Sequence, residues 1–487
     1  MRKISEIQFQ IGEQDISQIY IDLKSRDDIP QLLRGLQYIY ATPEVSAEVF
    51  KILEGIVPKN VDVENGRPGM TLWKILVLGT LRLNLNCDYD RLLELANNHK
   101  TIRQMLQHGI LDDAKEYKLQ TLKDNVSLLT SEKLDEVGKI VIKAGHKLVK
   151  KKGAGLRGRC DSFVVETDVH YPTDINLLFD AIRKVIFLVA GLSGDFGLTI
   201  WRQHINNIRK IKKLFTTARK LKHSTSKDDN KKKEREEIVK EAHRVYIDVV
   251  CGYLKKVDRT LDDLRGKDAM TEIRIAEIKK YIVHADRQID QVGRRVMGNE
   301  TIPHDEKVFS IFEEHTEWIS KGKAGVPVEL GLKVCVLEDQ YGFILHHHVM
   351  EKQTDDQIAV LMVEEAKKKF SDLSLCSFDR GFHSPDNQNK LKHVLEKVVL
   401  PKKGKLSDKD KEIEYSEEFI EVRRQHSAVE SAINALEVHG LDRCLDHGLY
   451  GFKRYVSLAV LARNIQKVGA ILRVKEKKAE ERLKKAA

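Results

Sequence analysis

The sequence predicts an α+β protein: an all-helical amino-terminal domain, then a mixed sheet flanked by helices, with a long helical insertion after the first strand. Three observations predict it. Apolar residues recur at helical spacing up to the basic, glycine-bearing run KKGAGLRGR at 151–159. Alternating, β-branched stretches follow at 160–170, in ELGLKVCVLED and FILHHHVM beyond residue 325, in LSLCSFD and in KVVLP. Between the first of these and the others, residues 201–300 return to helical periodicity with charges of both signs on the remaining positions. The expected organisation is a helical domain at 1–150, the first part of the sheet domain at 151–200, the insertion at 201–300, the rest of the sheet domain at 301–473 and a charged tail at 474–487.

Taken in order, GRPGMTLWKILVLGTLRLNLNCDYDRLLELANNHKTIRQML predicts a buried helix from Met70, a turn at Asn84 to Asp88 and two short amphipathic helices. That pattern suits a helix-turn-helix offering Arg91, Lys100, Arg103 and Gln104 to phosphates or base edges. It suits a packing or dimerisation module with solvated charges equally well. CDSFVVETDVH is a strand, and Pro172 opens a helix through INLLFDAIRKVIFLVA. The segments HINNIRKIKKLFTTARKLK, EREEIVKEAHRVYIDVVCGYLKKVDRTLDDL and TEIRIAEIKKYIVHADRQIDQVGRRV, with a polar break at HSTSKDDNKKK, predict an inserted helical hairpin: a structural arm, a DNA clamp or a dimer contact. Then come a hairpin turning at DQYG, the helix TDDQIAVLMVEEAKKKF, the strand LSLCSFD, a helix from Ser384, the strand KVVLP and a helix carrying Glu430. Strand, hairpin, helix, strand, helix, strand, helix is the order of a ribonuclease H-like catalytic domain.

Lys plus Arg number 84 against 74 Asp plus Glu, a net charge of +10 that favours an anionic partner, nucleic acid first. The six cysteines, at 87, 160, 251, 335, 376 and 444, form no CxxC pair, which suits a reducing, cytoplasmic setting. MRKISEIQFQ lacks the apolar core of a signal peptide, and no apolar stretch is long enough to span a bilayer, so neither export nor a membrane is expected.

The chemistry is carried by carboxylates. Asp379 ends an apolar strand just before Gly381, where ligands usually sit in such sheets; the cap of the following helix is already supplied by Ser384 and Pro385. Glu430 shares a predicted helix face with His426, Asn434 and Glu437 at offsets of four, four and seven, either a site or a solvated stripe. Asp161 and Asp168 compete for the first-strand position. They lie seven apart and face opposite sides of one strand, so a single one joins the site, and Asp161, beside the small Ser162, is the choice. Asp168 falls where a chain reversal begins. Three carboxylates on two strands and a helix are what a two-metal phosphoryl-transfer site needs, with Mg²⁺ held by hard oxygens and Mn²⁺ able to substitute. His346, His347 and His348 alternate in direction along a strand and do not ligate one ion. Lys402, Lys403 and Lys405, with Arg423 and Arg424, set cations beside the site, where they could neutralise phosphates.

On these residues the chain resembles a DDE-type transposase of a bacterial insertion sequence, most like the ISNCY group. The resemblance is carried by RDDIPQLLRGLQ, GRPGMTLW, DSFVVETDVHYPTD, SFDRGFHSPDNQ, LPKKGK, HSAVESAINALEVHGLDRC and GFKRYVSLAVLARN, which together span most of the chain. It implies that Asp161, Asp379 and Glu430 are the acidic triad holding two Mg²⁺ ions. It also implies an enzyme that binds terminal inverted repeats, cleaves the strand ends and joins the 3′-hydroxyl to target DNA, working in the nucleoid as a homodimer or higher assembly. Related transposases often carry Tyr, Arg and Lys seven before, four before and seven after the Glu. Those positions here are Arg423, His426 and Glu437, so the roles attached to that signature do not carry over. Two alternatives stand beside this expectation: a structure-selective nuclease of the same fold, and a catalytically silent DNA-binding protein derived from a transposase.

Overall fold

The structure, a computed structural model, describes residues 13–22, 24–57, 69–109, 116–151, 153–221, 225–320 and 328–486. The amino-terminal decapeptide, residues 66–68 of the GRPGM motif, Lys152 of the basic run and 222–224 at the polar break lie outside the described residues. The chain divides into two compact units, Met1–Asp168 with Glu317–Ala487, and Val169–Thr316.

The first unit begins with helices α1 (Asp28–Ala41), α2 (Pro43–Glu54), α3 (Leu72–Asn84), α4 (Tyr89–Asn98), α5 (Lys100–Met105), α6 (Leu119–Val126) and α7 (Ser131–Val149). Most of their starts follow from local chemistry. Asp27, Thr71, Asp88 and Thr130 precede α1, α3, α4 and α7 and accept otherwise orphaned backbone N–H groups. Helix α3, apolar on every side in LWKILVLGTLRLN, is buried along its whole length. Its Arg82 survives burial by pairing with Asp446 at 2.7 Å and lying over the Tyr89 ring at 4.0 Å.

The sheet is built from β1 (Leu156–Thr167), β2 (Glu317–Ser320), β3 (Val328–Asp339), β4 (Ile344–Val349), β5 (Leu373–Phe378), β6 (Lys397–Val399) and β7 (Arg443–Cys444). It is mixed. Strand β3 runs antiparallel to β1, β2 and β4, whereas β5 runs parallel to both β1 and β6, and β7 adds a short parallel pair to β1. The β3–β4 hairpin turns through Gly342 at φ +83°, as DQYG predicts. Helices α12 (Asp355–Lys369), α13 (Pro385–Val394), α14 (Asp408–Glu414), α15 (Glu417–His426) and α16 (Ala428–Leu436) intervene, and α17 (Gly448–Ala486) closes the chain.

The helices of 1–150 share their core with the sheet and with α17. Leu32, Leu36, Leu76 and Leu78 belong to one core with Val165, Val334 and Leu337 of the sheet and with Leu458, Leu461 and Ile465 of α17. The apolar faces that look self-sufficient in sequence are completed by a helix some four hundred residues later.

The second unit holds α8 (Asp174–Asp195), α9 (His204–Lys220), α10 (Asp229–Leu264) and α11 (Ala269–Val292) around a core of Ile182, Val185, Val189, Trp201, Tyr246, Val257 and Ile278. Trp201 donates its indole N–H to Thr260 Oγ1 at 3.0 Å. The inserted unit therefore starts directly after β1. Helix α8, assigned from sequence to the sheet domain, is the apolar centre of this unit and packs on α9, α10 and α11. Among the described residues no helix is long and apolar enough to cross a membrane.

Candidate active site

Strand register brings the first two carboxylates together. In the parallel β1–β5 pair the last partners are Cys160 and Phe378, and Asp161 and Asp379 are the next residue of each segment, close enough for the Asp379 charge to act on Asp161. Asp379 leaves β5 and caps a one-turn 3₁₀ segment, Arg380–Phe382, by accepting the Gly381 N–H at 3.3 Å. The next helix, α13, is capped by Ser384 with Pro385 at its first position, as its sequence predicts.

The Asp161 carboxyl is held away from its ordinary ionisation. Burial pushes its pKa up to about 6; the Ser162 N–H, 2.7 Å from Oδ1, opposes this, and the charges of Asp379, Asp355 and Glu430 add to it. Glu430 is exposed in the first turn of α16, a helix that packs on β1. Asp168, the rejected alternative, lies past the end of β1, exposed, with Arg443 at 3.7 Å. It takes no part in the cluster.

Asp355 is the acid that sequence reasoning missed. It opens α12, a place where an acidic residue reads as a helix-dipole partner. Ser162 donates its hydroxyl to Asp355 Oδ1 at 2.6 Å, and Lys333 Nζ lies 3.0 Å from Oδ2. A methyl group placed on Gly381 would meet Asp355 Oδ2 at 3.4 Å and Asp379 Oδ2 at 3.6 Å, so both carboxylates flank the space over that glycine. Sheet register brings its partners together: the β1–β3 pairing sets Val164 opposite Lys333, which places that lysine two residues along from Ser162.

The predicted helix face of His426, Glu430, Asn434 and Glu437 is corrected by the structure. The helix divides at Ser427 into α15 and α16, and Glu437 begins a π-turn ending at Leu441 in which Gly440 takes φ +111°. His426 therefore ends one helix while Glu430 begins the next. The His426 ring lies against β5, with Nδ1 3.0 Å from Ser377 Oγ. Burial lowers its pKa to about 4, against the pull of Asp379 and with help from Arg159 and Arg423, and its buried Nε2 has no hydrogen-bond partner.

The basic residues separate into two kinds. Lys403 donates to the Gly381 carbonyl at 2.8 Å, which puts its ammonium next to the carboxylates. Lys402 is committed elsewhere: its N–H goes to Glu414 at 2.7 Å and its Nζ to Asp410 at 2.6 Å. Lys405, Arg423 and Arg424 are exposed. In the first helices, Arg91 and Lys100 are exposed, but Arg103 donates to the Asn97 carbonyl at 3.2 Å and Gln104 to Gln14 at 3.1 Å. Helix α5 has six residues, an axis of about 9 Å, and turns Ile102 and Met105 into the core. Its Arg103 thus ties α5 to α4, and its Gln104 ties it to the segment before the first helices.

The three consecutive histidines have separate partners. His346 meets Lys369 at 3.1 Å, His347 meets Ser457 at 2.9 Å and His348 meets Gln353 at 2.8 Å.

Among the described residues no group of three or more His, Cys, Asp or Glu converges closely enough to hold a metal ion. The donor set around Asp161 nonetheless fits a hard divalent cation chemically. Four carboxylates lie within electrostatic reach, Lys333 faces Asp355, and the neighbouring carboxylates help to raise the Asp161 pKa, a strain that a bound cation relieves. No protein family, curated protein or solved structure compared with the chain matches it.

Proposed function

We propose that the protein is a DDE-type DNA transposase that binds the inverted repeats ending an insertion sequence, cleaves the strand ends and joins the freed 3′-hydroxyl to target DNA. The observation that carries the reading is the register of β1 and β5, which sets Asp161 beside Asp379, with the charges of Glu430 and Asp355 felt at the same carboxylate. The reading includes a ribonuclease H-like fold. It is supported by a sheet in which β1 has an antiparallel neighbour on one side and a parallel one on the other, so that β1 and β5 run together towards the carboxylates.

Asp161, Asp379 and Glu430 would hold two Mg²⁺ ions, or Mn²⁺ in their place, supplying activation of the attacking oxygen and neutralisation of the leaving one. This chain's own residues do the rest. Ser162 and Lys333 fix the Asp355 carboxylate. Lys403, anchored on the Gly381 carbonyl, sets a positive charge beside the scissile phosphate, where developing charge is most effectively stabilised. Arg423 and Arg424, exposed on α15, neutralise phosphates flanking it. His426, kept neutral by burial, packs α15 against the end of β5 and thereby aims the start of α16 and Glu430. Two DNA ends cut together call for a two-fold assembly of at least two copies.

One observation favours a second reading, a catalytically silent DNA-binding protein of the same ancestry: among the described residues no three ligands converge. Incubation of a terminal-repeat duplex with Mg²⁺ or Mn²⁺ decides between them. Nicked and joined products identify the transposase, nicking without joining identifies a nuclease, and binding without nicking identifies the silent protein.

A further inference from the structure

A cavity of about 520 Å³ opens at the edge of the sheet remote from the carboxylates, and five of its ten lining residues are lysines: Lys143, Lys147, Lys150, Lys151 and Lys369. It sits where β1 and β5 begin, since Leu156 N–H donates to the Asp372 carbonyl there at 2.8 Å, whereas Asp161 lies five residues along the strand, roughly 16 Å away. One acid, Asp372, lines it and is paired with Lys150; Lys369 is held by Asp135 at 2.5 Å. Lys143, Lys147 and Lys151 are exposed, and the one ion pair among them, Lys147 with Glu44 at 3.5 Å, joins two side chains that are themselves mostly in water and so holds the lysine weakly. His146 turns inward to Asp339 at 2.5 Å, and Phe370 is 4% exposed, so the cavity offers ammonium groups and no free ring for a base to stack on.

Lysines at the last helix carbonyls of α7 complement its dipole, but that role needs no cavity and no contribution from Lys369 on another helix. We infer that this lysine-lined cleft binds the phosphodiester backbone of double-stranded DNA, as a contact separate from the carboxylate site. Lys143 and Lys147 lie one turn apart on α7 and Lys151 follows just past its end, a row of about 10 Å, the rise of about three nucleotides of one strand. A row of point charges suits successive phosphates better than one compact anion. The choice of DNA as the polyanion rests on the proposed function; the charge and shape of the cleft do not.

The test uses the full chain with Lys143, Lys147 and Lys151 all replaced by Ala, binding a duplex of arbitrary sequence over a salt series. Loss of three phosphate contacts makes log affinity against log salt shallower by about three units and weakens every duplex alike. The matching triple Lys→Arg variant keeps the wild-type slope. An unchanged slope in the Ala variant overturns the site. So does a wild-type protein that binds inorganic tripolyphosphate in competition with nothing and does not bind the duplex. If the slope falls as expected but no metal-dependent nicking is ever seen, the cleft stands and the transposase reading fails; nicking with an unchanged slope gives the reverse.

Discussion

At the scale of single residues, Asp161 joins stability and chemistry in one group. Its carboxyl ionises near 4 in an open chain and at about 6 in the fold, so the folded state holds the proton more tightly. Stability therefore falls as pH rises from about 4 to about 6 and stays at the lower level above that. Asp161→Asn removes this penalty. We expect the variant to be more stable than wild type at pH 7.5, by as much as about 3 kcal/mol and less after screening by solvent, and so to melt higher, with the difference gone below pH 4. Addition of Mg²⁺ stabilises wild type and not the variant. Equal melting at pH 7.5 would mean that Asp161 carries no such strain. Asp161→Asn also weakens Mn²⁺ binding measured by calorimetry while Asp168→Asn leaves it unchanged; the reverse order would return the first-strand position to Asp168. Asp161 and Asp379 were legible in sequence because a strand alternates and ends at a glycine. Asp355 was not, because its partners Ser162 and Lys333 are 193 and 22 residues away and meet it through sheet register alone.

At the scale of elements, the crossing of α1 and α17 depends on two glycines. A Cβ at Gly35 would lie 2.1 Å from the Ile465 carbonyl oxygen, and one at Gly469 would lie 1.9 Å from that of Gln31. Neither neighbour is a side chain able to swing aside. Gly35→Ala and Gly469→Ala should each lower the denaturation midpoint, by about 3 kcal/mol or more in stability, whereas Gly138→Ala on α7, where nothing lies within 4 Å of the added methyl, should be neutral or mildly stabilising. A neutral Gly469→Ala would show that the two helices can separate freely. The basic loop is similarly divided. Lys403→Ala should depress cleavage more than binding, while Lys402→Ala, which breaks the pair with Asp410, should lower stability and leave the rate of cleavage per folded molecule unchanged. The strands were readable from alternation or a β-branched run, apart from β2 and β7, short segments in EWIS and RC that carry no such pattern. The break at Ser427 was not readable. RRQHSAVES contains no glycine or proline and Ser427 itself stays near helical angles, so no local residue marks the division of α15 from α16.

At the scale of the whole molecule, the chain is two units of different character, a sheet wrapped in helices and an all-helical insert with its own core. The helical periodicity of 201–300 announced the insert but not its extent. INLLFDAIRKVIFLVA is apolar enough to flank a sheet, and nothing local says that α9, α10 and α11 cover it instead. The amino-terminal helices misled in the opposite sense: their caps and turns are local and correct, while their core partner α17 is at the other end of the chain. The central claim concerns the carboxylates, and one measurement tests it most directly. A duplex carrying the DNA that borders the coding region is incubated with Mg²⁺ or Mn²⁺ and wild-type protein, or with Asp161→Asn, Asp379→Asn or Glu430→Gln, and nicked and joined strands are counted at matched DNA occupancy. The account predicts metal-dependent nicking and joining by wild type and a loss of at least about a hundredfold in each variant, with duplex binding retained. Binding by wild type without any metal-dependent nicking, or full cleavage by any of the three variants, would contradict it.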